Sequence, residues 1–255
     1  MEDITNTIIQ KLCDIEKAEN IRIIYACESG SRAWGFASPD SDYDVRFVYV
    51  RPLEYYLGLE EKKDFIESEL NEIYDINGWD VTKLLKLLTK SNPVIFEWAD
   101  SPIVYKSSSE WEKIKEILNM YFKPAKSMHH YVSMARNNVR TYFQGTEVNL
   151  KKYLYILRPV LACEWIMTKK VTPPTAFSKL VDGVLPKELL SSVDELLEAK
   201  KNASEKDKGS HILELDAYIE QKINESLAFL DRNKLVEKVN WNIVDEVFLK
   251  LIKGE

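Results

Sequence analysis

The chain has 255 residues, 45% hydrophobic and 30% charged, with a formal net charge of −6. That length suits one large domain or two smaller ones. The negative balance argues against broad, charge-driven nucleic-acid binding while leaving room for a local basic groove.

The opening stretch, MEDITNTIIQKLCDIEKAEN, is acidic and amphipathic, which is not the pattern of a signal peptide. No run reaches the ~18 apolar residues of a membrane span. Cys13, Cys27 and Cys163 lie far apart in apolar settings, with no paired framework, which points to a reducing compartment. The expectation is a cytoplasmic protein with no membrane partner.

Ile4, Ile8, Leu12 and Ile15 recur at helical spacing and predict an amphipathic helix. Residues 21–27 read as a buried strand ended by Gly30-Ser31, with Ser31 to Trp34 as the first turn of a short helix. Ser-Pro-Asp-Ser then marks a loop over 36–41. Tyr43, Val45, Phe47 and Tyr49 alternate with Asp42, Asp44 and Arg46, the period of a strand. Residues 67–77 are expected to form one further strand. Asp80 fits the cap of a helix lined by Val81, Leu84, Leu85 and Leu88, which Asn92-Pro93 interrupts.

The remainder reads as helical. One stripe is Tyr131, Ala135, Val139 and Tyr142; another is Leu150, Leu154, Leu157 and Leu161. Residues 181–201 and 212–230 are expected as helices, separated by the exposed loop NASEKDKGSH. Strands first and helices afterwards predict an α+β fold, with an N-terminal domain over 1–122 and an all-helical domain over 123–255.

Asp42 and Asp44 stand two apart, so in an extended segment they project from one face. Close carboxylates repel one another and are costly to bury, unless a cation joins them. Hard oxygen ligands of this kind suit Mg²⁺ or Mn²⁺ shared with substrate phosphates. Gly30 lets the backbone approach a phosphate, and Ser31 adds a hydroxyl donor. Singly, a Ser-Asp-x-Asp turn or a Gly-Ser step is commonplace. The ordered combination of strand, Gly-Ser, loop and Asp-x-Asp is far more specific.

GSRAWGFASPDSDYDVRFVYV resembles the signature of the DNA polymerase beta nucleotidyltransferase superfamily. GWDVTKLLKLLTKSNPVIFEWADSPIVY (78–105) and KKYLYILRPVLACEWI (151–166) resemble bacterial and phage nucleotidyltransferases associated with RNA repair. The resemblance runs through most of residues 20–175. It implies a mixed sheet flanked by helices, two Mg²⁺ (or Mn²⁺) ions, and transfer of a nucleoside monophosphate with release of pyrophosphate. Asp42 and Asp44 would hold both ions. A third acid from a later strand would be Asp75, with Asp80 as its competitor.

Lys151, Tyr155 and Arg158 fall on one helical face with Lys152 beside them, and Arg158 precedes Pro159, which favours a kink. Given the resemblance, this face is expected to bind the nucleotide as the helical domain closes over the cleft. The alternative is a solvated basic stripe. His129 and His130, with Arg136 and Arg140, could touch substrate, but no further His or Cys gives zinc spacing. Ser31 has no triad partner. Trp34 is the one tryptophan placed to meet a base or sugar.

The expected function is metal-dependent transfer from an NTP, such as ATP, to an acceptor hydroxyl on an RNA end. The competing expectations are AMPylation of a protein and a non-catalytic nucleotide-binding regulator.

Overall fold

The helical spacing near the N-terminus is realised in α1 (Glu2–Glu19), whose Ile8, Leu12 and Ile15 pack in one core with Ile23, Val45, Phe47 and Ile76 of the sheet. The computed structural model describes residues 2–202, 208–233 and 238–254. They divide into two compact units. One comprises residues 1–33, 42–121 and 238–255, and the other 34–41 and 122–237.

The first unit continues through β1 (Arg22–Glu28), α2 (Gly30–Trp34, whose last residue falls in the second unit), β2 (Tyr43–Val50) and α3 (Leu53–Tyr56). It then runs through β3 (Phe65–Leu70), β4 (Tyr74–Asp80), α4 (Val81–Thr89), α5 (Pro93–Ala99), β5 (Val104–Ser107) and α6 (Ser109–Tyr121). The sheet order is β3-β4-β2-β1-β5. β2 and β4 are parallel and the other pairs antiparallel, so the sheet is mixed. β4 can lie close beside β2 because residue 78 is glycine. A Cβ there would sit 2.1 Å from the Phe47 ring.

The single strand expected over 67–77 is instead a hairpin, β3 and β4. Its turn is closed by Asn71, whose side-chain oxygen accepts from the amides of Ile73 and Tyr74, both at 2.8 Å. This is the local backbone bonding that makes asparagine a turn residue.

The second unit holds α7 (Pro124–Tyr142), β6 (Glu147–Asn149), α8 (Leu150–Lys169), α9 (Phe177–Val184), α10 (Leu190–Asn202), β7 (Lys208–Ser210) and α11 (Leu213–Arg232). Leu154, Leu157 and Leu161 of α8 sit in its main core with Phe177, Leu180, Val193 and Leu215. The helix expected over 181–201 is broken at Leu185-Pro186, where proline has no amide to continue the ladder. Of the expected loop NASEKDKGSH, residues 203–207 lie outside the described residues, and Lys208–Ser210 pairs antiparallel with β6.

α12 (Trp241–Lys253) packs on α4 and α6, so the C-terminal helix belongs to the first unit. In place of one break between 122 and 123, the chain therefore passes between units near 33, 41, 121 and 237. Among the described residues no helix is long and apolar enough to cross a membrane.

Candidate active site

The Gly-Ser step fits against the second aspartate. Ser29 donates its amide to the Asp44 carbonyl at 2.8 Å. Gly30 adopts φ +57°, and a Cβ there would fall 1.9 Å from Asp44 Oδ2. Glycine is required twice over at this position, for its backbone conformation and for the closeness of the carboxylate. Ser31 follows, buried in α2.

Asp42 precedes β2 instead of lying in it. Its carbonyl accepts from Arg32 Nε at 2.9 Å, and the Arg32 guanidinium covers the Tyr43 ring at 3.8 Å. Strand parity therefore relates Asp44 to Arg46, and Asp42 reaches the site as a neighbouring charge.

Asp75 stands directly opposite Asp44 in the parallel register of β2 and β4. Arg46 Nη2 donates to Asp44 Oδ1 at 2.9 Å and to Asp75 Oδ2 at 2.7 Å. Burial pushes the Asp44 carboxyl up to about 6; Arg46 opposes the rise, and the charges of Asp42 and Asp75 add to it. Asp44 therefore feels both of its acidic neighbours.

A fourth acid joins them. Glu28 Oε1 accepts the Asp44 amide at 2.8 Å, and the Tyr105 hydroxyl donates to Oε2. Burial lifts Glu28 to about 7, against the opposing pull of those two hydrogen bonds.

Among the described residues no three His, Cys, Asp or Glu side chains are already gathered as a ligand set. The donor chemistry nevertheless fits a hard divalent cation: oxygen ligands only, mutually repelling, and partly desolvated.

Asp80 is elsewhere. At the far end of β4 it caps α4, accepting from the Thr82 amide at 2.8 Å and hydroxyl at 2.7 Å and from the Tyr56 hydroxyl at 3.0 Å. The register pairs it with Tyr49, not with Asp44.

In the second unit, Lys151 and Arg158 are 6% and 2% exposed, so neither belongs to a solvated stripe. The Arg158 guanidinium lies 4.4 Å from the Trp34 ring centre, and Lys152 Nζ lies 5.2 Å from the Tyr155 ring centre. Trp34, Phe36 and Tyr155 pack edge to face or tilted. Lys200 of α10 joins them, donating to the Tyr155 hydroxyl at 3.2 Å with Nζ 4.8 Å from its ring centre. The nearby Asp40 carboxyl is held below its usual range, chiefly by the Ser38 hydroxyl and further by the charges of Lys151 and Lys200. On α7, His129, Arg136 and Arg140 are exposed, and His130 rests edge-on to Tyr131.

Glu28, Arg46, Tyr105 and Lys200 are the residues that sequence reasoning missed. Glu28 carried a signal as an acid ending an apolar run, and Arg46 by sharing Asp44's strand parity. Tyr105 and Lys200 carried none.

A family model described as RlaP, RNA repair pathway DNA polymerase beta family, matches residues 4–250. The uncharacterized protein YcgL of Bacillus subtilis (strain 168) is 44% identical over 218 residues, 85% of this chain and 84% of that protein. The tRNA (34-2'-O)-methyltransferase regulator WDR6 of Drosophila melanogaster is 25% identical over 126 residues, 48% of this chain and 12% of that protein. A crystal structure of a nucleotidyltransferase-like protein from Exiguobacterium sibiricum 255-15 overlays on 97% of this chain and 80% of its own, at 11% identity and a TM-score of 0.31. That overlay is loose, and the family rests on the sequence match.

Proposed function

Because the chain belongs to the RNA repair pathway DNA polymerase beta family, and so is a nucleotidyltransferase, we propose that it transfers a nucleoside monophosphate from an NTP to a hydroxyl at an RNA end, releasing pyrophosphate. The observation that carries this reading is the register of β2 on β4, which sets Asp44 opposite Asp75 with Gly30 against the Asp44 carboxylate.

Asp42 and Asp44 are the residues that would hold Mg²⁺ or Mn²⁺, with Asp75 completing the acid cluster. When bound, such ions neutralise the charge on the attacking and leaving oxygens of an in-line displacement. The chain's own residues do the positioning, which is most of what phosphoryl chemistry asks of a protein. Gly30 and Ser31 bring backbone and hydroxyl donors to the phosphates. Lys151, Lys152, Tyr155 and Arg158 bind the nucleotide, with charge on the phosphates and the ring on the base or sugar.

The test is to incubate the protein with each NTP labelled at the α-phosphate, Mg²⁺ or Mn²⁺, and an RNA pool. Label on RNA with pyrophosphate release is the expected result. Label on a protein substrate instead would replace the RNA acceptor. No transfer, together with an Asp42→Ala, Asp44→Ala variant that binds ATP and Mn²⁺ as well as wild type, would overturn the reading.

A further inference from the structure

The acids of the first unit already face a cation of their own. Arg46 is 15% exposed at its side chain. Besides its bonds from Nη2 to both aspartates, it donates from Nη1 to the Asp75 carbonyl at 2.7 Å and the Val45 carbonyl at 3.1 Å. Four acceptors thus fix the planar guanidinium, two of them backbone atoms that cannot swing away. A guanidinium stays charged at any pH at which a protein is folded, and its fork matches paired carboxylates in a way that lysine does not.

Each oxygen of Asp75 has a partner in the same arrangement. Its Oδ2 accepts from Arg46, and its Oδ1 accepts from Asn77 Nδ2 at 3.1 Å. Asp44 differs: Oδ1 accepts from Arg46, while Oδ2 is the oxygen turned to Gly30, the side on which phosphate is expected.

We infer that Arg46 occupies the place of one of the two divalent ions, so that the site takes a single ion on the Asp42–Asp44 side. Arg46 supplies the second positive charge between Asp44 and Asp75. This rests on the metal-dependent reading above and departs from the expectation of two ions. It also assigns Asp75 a different task, that of anchoring Arg46 instead of ligating metal.

The stoichiometry of Mn²⁺ binding tests it without nucleotide or turnover. Free Mn²⁺ is followed by electron paramagnetic resonance during titration of the full-length protein and of Arg46→Gln, with thermal melts checking that the variant folds. The expected result is one more ion bound by Arg46→Gln than by wild type. Asp75→Asn, which keeps the shape of the site, is expected to leave the wild-type count unchanged.

Two ions on wild type, equal counts on wild type and Arg46→Gln, or loss of an ion in Asp75→Asn would each overturn the inference. Binding of no ion by any of the three proteins would also overturn the single-ion site, whereas failure of the metal-dependent function is read separately, as absence of transfer with NTP and Mn²⁺. Equal counts of one would reject only the role of Arg46. Should Arg46→Gln fail to fold, Arg46→Lys replaces it: a count unchanged from wild type, with weaker pairing of Asp75, supports the inference, and a second ion overturns it.

Discussion

The two units each bury charge, and they do it in opposite ways. In the first, Glu28, Asp42, Asp44 and Asp75 crowd together and are tempered by hydrogen bonds and by Arg46. In the second, Arg158, Lys152 and Lys200 rest on the rings of Trp34, Tyr155 and Phe36. Burial disfavours a carboxylate, and repulsion between neighbours disfavours it further, so Glu28 and Asp44 are pushed above the usual carboxylate range. A cation over an aromatic face meets partial negative charge that cannot titrate away. The difference teaches that the acid cluster is the electrically unsatisfied one, which a cation would stabilise. The cation cluster is packed on rings, which hold its charges without consuming them in titration.

The sharpest way to break this contrast is to remove the acid that faces both Gly30 and Asp75. Asp44→Ala is expected to lower transfer by about a thousandfold or more, the size of a loss of several kcal/mol in stabilising the reacting phosphate. Label transfer under single-turnover conditions reads it. Residual activity within about tenfold of wild type would mean the carboxylates are not the reacting centre. Gly30→Ala comes next. Its Cβ would meet the Asp44 carboxylate and its φ is left-handed, so a fall of about a hundredfold in transfer is expected with only about 1–3 kcal/mol lost in stability. A variant with normal transfer would show that Asp44 need not lie against this turn.

How far the sequence discloses this contrast depends on how local each feature is. Gly30, Ser31, Asp42 and Asp44 sit within fifteen residues, and turn chemistry and strand period make them legible. Asp75 is legible as an acid in a later strand, but its partner is not. Its register on Asp44 depends on parallel pairing with β2, which is non-local, and on Gly78 making room for Phe47.

The turn that precedes Asp75 is hidden because ESELNEIYDIN has no glycine or proline to mark it, so the stretch passes as one strand. What ends the first half is Asn71, through its side chain and through its amide, which donates to the Tyr74 carbonyl at 2.9 Å. Lys200 is a different failure. Its helix was legible, but its bond to Tyr155 spans 45 residues, and no periodicity encodes which helix a face will meet. The return of α12 to the first unit is invisible for the same reason.

The second half of the contrast is tested by Arg158→Met, which keeps the apolar stem and removes the charge over Trp34. Nucleotide affinity is expected to weaken by about tenfold, roughly 1.4 kcal/mol, with the rate at saturation changed by less than about twofold. Equilibrium binding of each NTP measures the first and saturation kinetics the second. Unchanged affinity would reduce the cation cluster to packing within the second unit.

The smallest effect should come from Asp80, and it separates two acids that share one strand. Asp80 is 1% exposed and satisfied by the Thr82 amide and hydroxyl and the Tyr56 hydroxyl. Asp80→Ala removes a helix cap, which costs about 1 kcal/mol, and takes the acceptor from the half-buried Tyr56 hydroxyl, which keeps the Arg51 amide as a partner, adding about 1 kcal/mol. The melting temperature should therefore fall, while transfer measured well below it stays within about twofold of wild type. Asp75→Asn should do the reverse, with a small change in melting temperature and transfer reduced by about a hundredfold through a misplaced Arg46. If Asp80→Ala lost transfer as Asp75→Asn does while keeping its melting temperature, the site would extend to the other end of β4, and the separation of capping acid from reacting acid would fail.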